Sequence, residues 1–381
     1  MSDNRGAAPL FSLALVIGTA TIFGLTYGLS APLIALNLAQ RGHGEALIGL
    51  NAAMHAVGVL LIAPVLPKLA VRFGARPLII TALLVSAGVL VLFPLLQWVA
   101  LWFPLRILLG AAAEVLFVLS ETWTNQFSRP QSRGRTMAIY TAALSLGFAG
   151  GPAILALVGT GPGAYLIGAG IVLLAVVPML LPGLASPAAL HPATANMRQY
   201  LHLAPIAVGT VVLNAAVETA GLSFIALYAT GMGWTVERGM QLVSTLMVGA
   251  IVLQLPIGWL ADHMSPKRLV WILTALSAAG ALLWPAMLAT PWLAYVGVFA
   301  WGGLFVGIYT VMLTIVGSRF TGGDLVGIYA VMGLAWGAGA LVGPSVVGLA
   351  MGWSPHYGLP WAIAASCIAF ALFMAIRRSD S

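Results

Sequence analysis

Read for hydrophobicity alone, the chain alternates between long apolar runs and short polar breaks. The runs lie near 10–38, 46–70, 77–97, 99–128, 135–159 and 162–184, then near 201–230, 237–261, 268–289, 292–318, 324–350 and 358–376. About 20 apolar residues in a helix cross the hydrocarbon core of a bilayer, so the pattern predicts twelve membrane spans. The stretch 185–200, which carries Pro187, His191 and Pro192 among few bulky apolar residues, is the one long break. It reads as a linker, which divides the chain into 1–184 and 201–381, six spans on either side.

An even number of spans puts both termini on one side. If that side is the cytoplasm, its segments hold Arg5, Lys68, Arg72, Arg76, Arg129, Arg133, Arg135, Arg198, Lys267, Arg268, Arg319, Arg377 and Arg378. The opposite loops hold only Arg41 and Arg238, while Arg106 is embedded. That asymmetry fixes the orientation by the positive-inside rule and accounts for the net charge of +7 without nucleic acid. The composition agrees: 61% hydrophobic and 7% charged residues exclude a soluble globular protein. The polar start leads straight into a full-length span, unlike a cleavable signal peptide. The single cysteine, Cys367, rules out a disulfide framework, and the six histidines show no metal-ligand spacing. No phosphate-binding glycine loop and no nucleophile triad occur, so neither ATP-driven transport nor an enzyme is expected. His55, alone among the histidines in lying inside a span, reads as a packed polar residue.

Two motifs recur at half the chain length. Gly258-Trp259-Leu260-Ala261-Asp262-His263, followed by Lys267 and Arg268, sits where two spans turn back at the cytoplasmic surface. Gly258 would let two helix ends approach closely, and Asp262 would cap the next helix or pair with a cation. A degraded copy runs from Pro67 to Ile79, starting 191 residues earlier, with Leu69, Ala70, Arg72, Gly74 and Arg76 kept and Val71 in place of the acid. Likewise Gly147-x-x-x-Gly151-Pro152 returns as Gly339-x-x-x-Gly343-Pro344, 192 residues on. Small residues four apart permit close helix contact, and the proline bends the helix.

The turn motif resembles the signature loop of the major facilitator superfamily, G-x-L-A-D-[RK]-x-G-[RK]-[RK], which occurs between helices two and three and again between eight and nine. His263, Ser265 and Pro266 depart from it. Arg106-Ile107-Leu108-Leu109-Gly110 is similar to the superfamily's fourth-helix motif, with Leu109 in place of glutamine. The Gly-Pro motif resembles that of antiporters, drug exporters above all, and the whole chain looks like a little-characterised bacterial branch of the superfamily. The resemblance implies an all-α membrane protein with 12 transmembrane helices in two pseudo-symmetric six-helix bundles. It also implies a monomer in the bacterial inner membrane that works by rocker-switch alternating access around a midplane site, with the proton gradient as energy source and no cofactor.

Candidate chemistry is confined to a few embedded charges. Glu114, Glu121 and Glu218 each cost roughly 2.5–3.5 kcal/mol at the bilayer centre and should face protein or water. Glu121, with Arg133 and the loop residues, resembles the acid that ends helix four in the family, where it bonds to signature-loop arginines. It is therefore assigned to a cytoplasmic gate with Arg72, Arg76 or Arg133, the second loop contributing Gly258, Asp262, Lys267 and Arg268; a direct substrate contact is the alternative. Glu114 and Glu218, near mid-span in the fourth and seventh spans, are the proton-coupling candidates, and Asn214 stands one turn before Glu218 on the same face. The bland reading is that Glu218 is only hydrogen-bonded inside the protein. A carboxylate that takes either a proton or a cationic substrate gives antiport, hence export of a small amphipathic or cationic molecule. Arg106 either modulates a nearby carboxyl or binds an anion, the latter implying proton-coupled uptake of a nutrient or organic anion. Tyr27, Phe117, Phe224, Tyr228, Trp301, Phe305, Tyr309 and Trp336 line a pocket or simply pack.

Overall fold

The protein is described by a computed structural model covering residues 4–127, 133–181, 204–319 and 322–378. Among these residues every regular element is a helix. Only helices and closed barrels satisfy every backbone hydrogen bond within a bilayer, so long apolar runs leave the chain no other choice. The N-terminal half runs α1 (Asn4–Gln40), α2 (Glu45–Ile62), α3 (Leu66–Phe73), α4 (Ala75–Leu95), a 3-10 turn at Val99–Leu101, α5 (Trp102–Phe127), α6 (Arg133–Val158) and α7 (Pro162–Leu180). The C-terminal half continues with α8 (Pro205–Gly231), α9 (Val236–Val252), α10 (Gln254–His263), α11 (Pro266–Leu282), α12 (Trp284–Leu288), α13 (Pro291–Arg319), α14 (Gly322–Trp353) and α15 (Gly358–Arg378). The expected linker at 185–200 lies outside the described residues.

Eleven segments among the described residues are long and apolar enough to span a membrane. The run expected as a single span at 268–289 is instead two helices, α11 and α12, broken at Leu283. Pro285 explains the break, because it cannot donate to the Ala281 carbonyl and its ring crowds that oxygen. Prolines interrupt two further spans at equivalent places. Pro64 lies between α2 and α3, and Pro256 lies just after the break at Leu253 between α9 and α10, 192 residues later. At the second break the Gln254 side chain compensates locally. Its Nε2 donates to the Ala250 carbonyl at 2.6 Å, and its Oε1 accepts from Thr310 on α13.

The chain forms two compact units, one of Met1–Ile34 with Met54–Pro192 and one of Ala35–Ala53 with Ala193–Ser381. The partition departs from chain order at Ala35–Ala53, which belongs with the C-terminal unit. There α2 lies against α14: a Cβ on Gly49 would collide with the Pro344 carbonyl, and one on Gly348 would stand 2.5 Å from the Glu45 carbonyl.

Inside each unit the repeated glycines mark one tight helix crossing. In the first, Gly147 and Gly151 on α6 face α1, where added Cβ atoms would strike the Thr21 carbonyl and the Leu29 backbone nitrogen. In the second, Gly339 and Gly343 on α14 face α8, where they would strike the Val212 and Ala216 carbonyls. The partner positions Thr21 and Val212 are themselves 191 residues apart. With lipid on the outside as apolar as the interior, such backbone-to-backbone approach is what holds helices together. Pro152 and Pro344 lie inside α6 and α14 one residue beyond the second glycine.

Candidate functional site

The chemistry gathers in one place in each unit. In the C-terminal unit it is built on α8, the most enclosed of the membrane-spanning helices. Asn214 and Glu218 are one turn apart, and Asn214 Nδ2 donates to Glu218 Oε2 at 3.2 Å. The indole of Trp336, delivered by α14, donates to the same carboxylate. Both neighbours are neutral donors, and no ion pair neutralises Glu218 among the described residues. A carboxylate held this way keeps its shape in either charge state and remains open to a proton or a cation.

The other predicted aromatics of this unit mostly pack. Phe224 is wholly buried. Tyr228 donates its hydroxyl to the His356 carbonyl at 2.8 Å. Trp301 donates to the Ser277 carbonyl at 2.8 Å, stacks on Phe305 at 5.1 Å and meets Trp284 edge-on. Tyr309 is only half-buried. Four of the proposed pocket residues of this unit therefore belong to its core, and Trp336 meets a charged group, Glu218.

In the N-terminal unit the central feature is Arg106, which is 1% exposed on α5. Its electrostatic neighbours are Tyr27 on α1, Tyr165 on α7 and His55 on α2. Neither its Nε nor its Nη1 has a hydrogen-bond partner. His55 is also buried, its Nδ1 unpartnered, with its ring centroid 4.6 Å from that of Tyr27. Glycines create this proximity: Cβ atoms on Gly58 and Gly110 would collide with the Ile107 and His55 carbonyls, so α2 and α5 cross at van der Waals distance. Beside the cluster is a small cavity of about 10 Å³, roomy enough for one water, whose walls include Phe23, Tyr27, His55, Ser86 and Leu109, while the nearby Thr26 and Ser30 hydroxyls donate to the Ile22 and Tyr27 carbonyls. His55 is a packed polar residue, as expected, and it packs beside the buried guanidinium. The signal for that proximity was available in the paired glycines of α2 and α5, which flank it.

Farther along α5, Glu114 and Glu121 are seven residues apart and feel each other electrostatically. Phe117, between them, packs on Phe23 of α1 at 5.6 Å. Ser120 Oγ and the Tyr140 hydroxyl are 3.1 Å apart next to Glu121. The gate arginines stand elsewhere. Arg76 donates its Nε to the Met179 carbonyl at 2.7 Å and its Nη2 to the Leu181 carbonyl at 2.9 Å, capping the C-terminus of α7. Arg72 lies over the Phe73 ring. Neither forms an ion pair with Glu121 among the described residues, and the side chains of Arg133 and Asp262 lie outside the described part.

The second signature stretch also departs from expectation. Nothing lies within 4 Å of a Cβ placed on Gly258, so no close helix approach requires glycine there. The cap position of α11 is Ser265, with no side-chain cap bond, whereas Asp262 sits inside α10. His263 folds back instead, stacking on Trp259 at 4.2 Å with Nδ1 2.8 Å from the Trp259 carbonyl.

The family model of the major facilitator superfamily matches residues 16–248, more than half of the chain. The chain belongs to the major facilitator superfamily. This superfamily member is a transporter, not an enzyme. It is 25% identical over 351 residues to the uncharacterized MFS-type transporter YfkF of Bacillus subtilis (strain 168), covering 90% of this chain and 88% of the relative. Among solved structures its fold is similar to a mutant of the nucleoside transporter NupG, with a TM-score of 0.79 and 16% identity over 96% of this chain and 99% of the other. It is also similar to a D-xylose-proton symporter, with a TM-score of 0.76 and 16% identity over 96% and 97% of the two chains. At those identities the likeness extends to the fold.

Proposed function

We propose that the protein is a proton-coupled secondary transporter that exports a small cationic or amphipathic organic molecule by alternating access, with Glu218 as the group that binds either cargo or proton. The observation that carries this reading is the Glu218 carboxylate held at mid-helix by Asn214 and Trp336, two neutral donors, with no ion-pair partner among the described residues. Such a group stays charged only at a cost in a low-dielectric setting, and a proton or a bound cation relieves that cost equally well. The two ligands then exclude each other. Linkage makes that exclusion reciprocal, so a proton gradient can drive the cation the other way. Glu114 serves as the second carboxyl in the same process, and Trp336 offers an aromatic face to an amphipathic cargo. The carrier works as a monomer in the bacterial inner membrane with both termini in the cytoplasm, in keeping with the charge asymmetry of its loops.

Binding of a lipophilic cation such as tetraphenylphosphonium to purified protein at pH 6 and pH 8 tests the reading. Export by competition requires tighter binding at pH 8. Preference for organic anions, strengthening at pH 6, would overturn it and favour the second reading, uptake of an organic anion with Arg106 as counter-ion, to which the buried guanidinium lends its weight.

A further inference from the structure

We infer that the cleft between α11 and α15 is a binding site for one anionic phospholipid, its phosphate at the Lys267–Arg268 end of α11 and an acyl chain laid along the cleft. The site lies within the C-terminal unit and is independent of which cargo is carried. On α11 the wall is Trp271, Thr274, Ala275 and Ala278, at i, i+3, i+4 and i+7, a single face of the helix. Small residues make the hollow: Ala275 and Ala278 on that side, Cys367 and Ala371 on α15. The cleft measures about 210 Å³, room for about seven groups the size of a water or a methylene. Its surface is apolar, for the Thr274 hydroxyl is already spent on the Val270 carbonyl at 2.8 Å. Ile368 and Leu372 form the lip and are 50% and 60% exposed, so the cleft opens outward where hydrocarbon surrounds the protein.

Charge selects the occupant. Lys267 and Arg268 stand four and three residues before Trp271, so the cleft stripe of α11 runs up to two cations at the head of the helix. Both are exposed and have no ion pair among the described residues. The helix start adds donors of its own. Ser265, the cap residue, makes no side-chain cap bond, and the first backbone N–H bonded back to it is that of Leu269. The N–H groups of Lys267 and Arg268 are thereby left for a phosphate, which helix N-termini favour. One turn deeper, the half-buried Trp271 has an indole N–H with no partner among the described residues, suited to a headgroup or ester oxygen. From Lys267 to Ala278 is about 16 Å at the helical rise, close to the depth of one leaflet of a ~30 Å core. Three crossings separate α11 from α15, so the two run antiparallel, and α15 ends in Arg377 and Arg378 on the side where α11 begins. Basic residues at the mouth of a cleft between spans favour an anionic headgroup over a zwitterionic one. A second copy of the chain is the poorer occupant, because a symmetric contact on this face would set the basic rim against itself.

The test uses the full chain in detergent, without cargo. Native mass spectrometry follows the lipid retained from an equimolar mixture of phosphatidylglycerol and phosphatidylcholine with the same acyl chains. One phosphatidylglycerol should be kept per chain in preference to phosphatidylcholine. The double variant Lys267→Gln, Arg268→Gln should weaken that retention roughly 25-fold, at about fivefold per charge. Ala275→Phe, which fills the cleft and leaves both charges in place, should abolish the preference as well. All three positions are exposed, so the substitutions leave the core of the unit intact. Equal retention of the two lipids by the unmodified chain would overturn the proposal. So would a loss confined to the charge variant, which leaves a basic rim without a cleft site. Equal thermal stabilisation by inorganic phosphate and by phosphatidylglycerol would overturn it too, since the acyl chain would then add nothing. Loss of the cation binding predicted above would leave lipid retention untouched, so the two ideas fail separately.

Discussion

Replacing Glu218 by glutamine removes one charge and nearly nothing else, which makes it the sharpest test of the exchange mechanism. The amide keeps an oxygen for Asn214 Nδ2, now 3.2 Å from Oε2, and the same volume beside Trp336. A hydrogen bond to a charged group is worth ~1.5–3 kcal/mol against ~0.5–1.5 for a neutral one, so the two bonds together forfeit about 2–3 kcal/mol and the variant should fold. Its effect on a bound cation is larger relative to the measurement. Losing a charged partner at that strength weakens binding by roughly 10- to 150-fold. The pH dependence has a defined sign. While the carboxyl is protonated, each unit rise in pH should tighten cation binding by up to about tenfold, levelling off once the group is ionised. Glu218→Gln should show weak binding that does not change between pH 6 and pH 8. Titration calorimetry with tetraphenylphosphonium, and uptake into proteoliposomes under an imposed pH gradient, read both quantities. Unchanged affinity and slope in Glu218→Gln, with both lost in Glu114→Gln, would refute the assignment and move the exchange site to α5.

Other consequences follow from the packing. Gly151→Val must separate α6 from α1, because its Cβ would strike backbone atoms of Gly28 and Leu29; overpacking of this kind costs about 1–3 kcal/mol and should lower the unfolding midpoint. Gly258→Ala, with open space around it, should be neutral or slightly stabilising, since alanine outranks glycine in a helix by about 1 kcal/mol. Arg76→Lys should fray the end of α7, seen as faster amide exchange near Leu181, because a lysine point charge cannot bridge two carbonyls as the guanidinium fork does. Glu121→Gln, if Glu121 belongs to a cytoplasmic gate, should change labelling of a cysteine placed on the cytoplasmic side. Cys367 is fully buried and gives no background, and unchanged labelling would dismiss the gate role.

Much of the fold was legible because the bilayer allows so few alternatives. Helix positions followed from run length, and the glycine repeats at 147–151 and 339–343 pointed to helix crossings that the structure places against α1 and α8. The failures share one cause. Motif residues suggest roles by resemblance, whereas packing depends on neighbours distant in sequence. Gly258 fits a loop pattern yet faces empty space. Arg76 fits a gate yet caps α7, more than 100 residues away. His55 was legible as a packed polar residue, but its neighbours, Tyr27 and Arg106, come from two other helices and were not. The breaks at Pro64, Pro256 and Pro285 were visible as letters, but hydropathy averaged over a run conceals a loss of helix of one to three residues.

The placement of charge bears directly on the proposed function. Of the charged residues, Glu114, Glu121, Glu218 and Arg106 lie deep within spans, away from the span ends. A protein retaining these groups for stability alone would pair them, since a buried ion without its partner is strongly destabilising. Arg106 and Glu114 share a helix and could have been one turn apart; they are two turns apart and point in different directions. Glu218 has an amide and an indole for company, and Arg106 has two phenols and an imidazole. Charges kept apart in this way must be neutralised by something that comes and goes. For the carboxyls that partner is a proton or a cation, which is the exchange a transporter needs. The separation of opposite charges within one helix is therefore itself the argument for function.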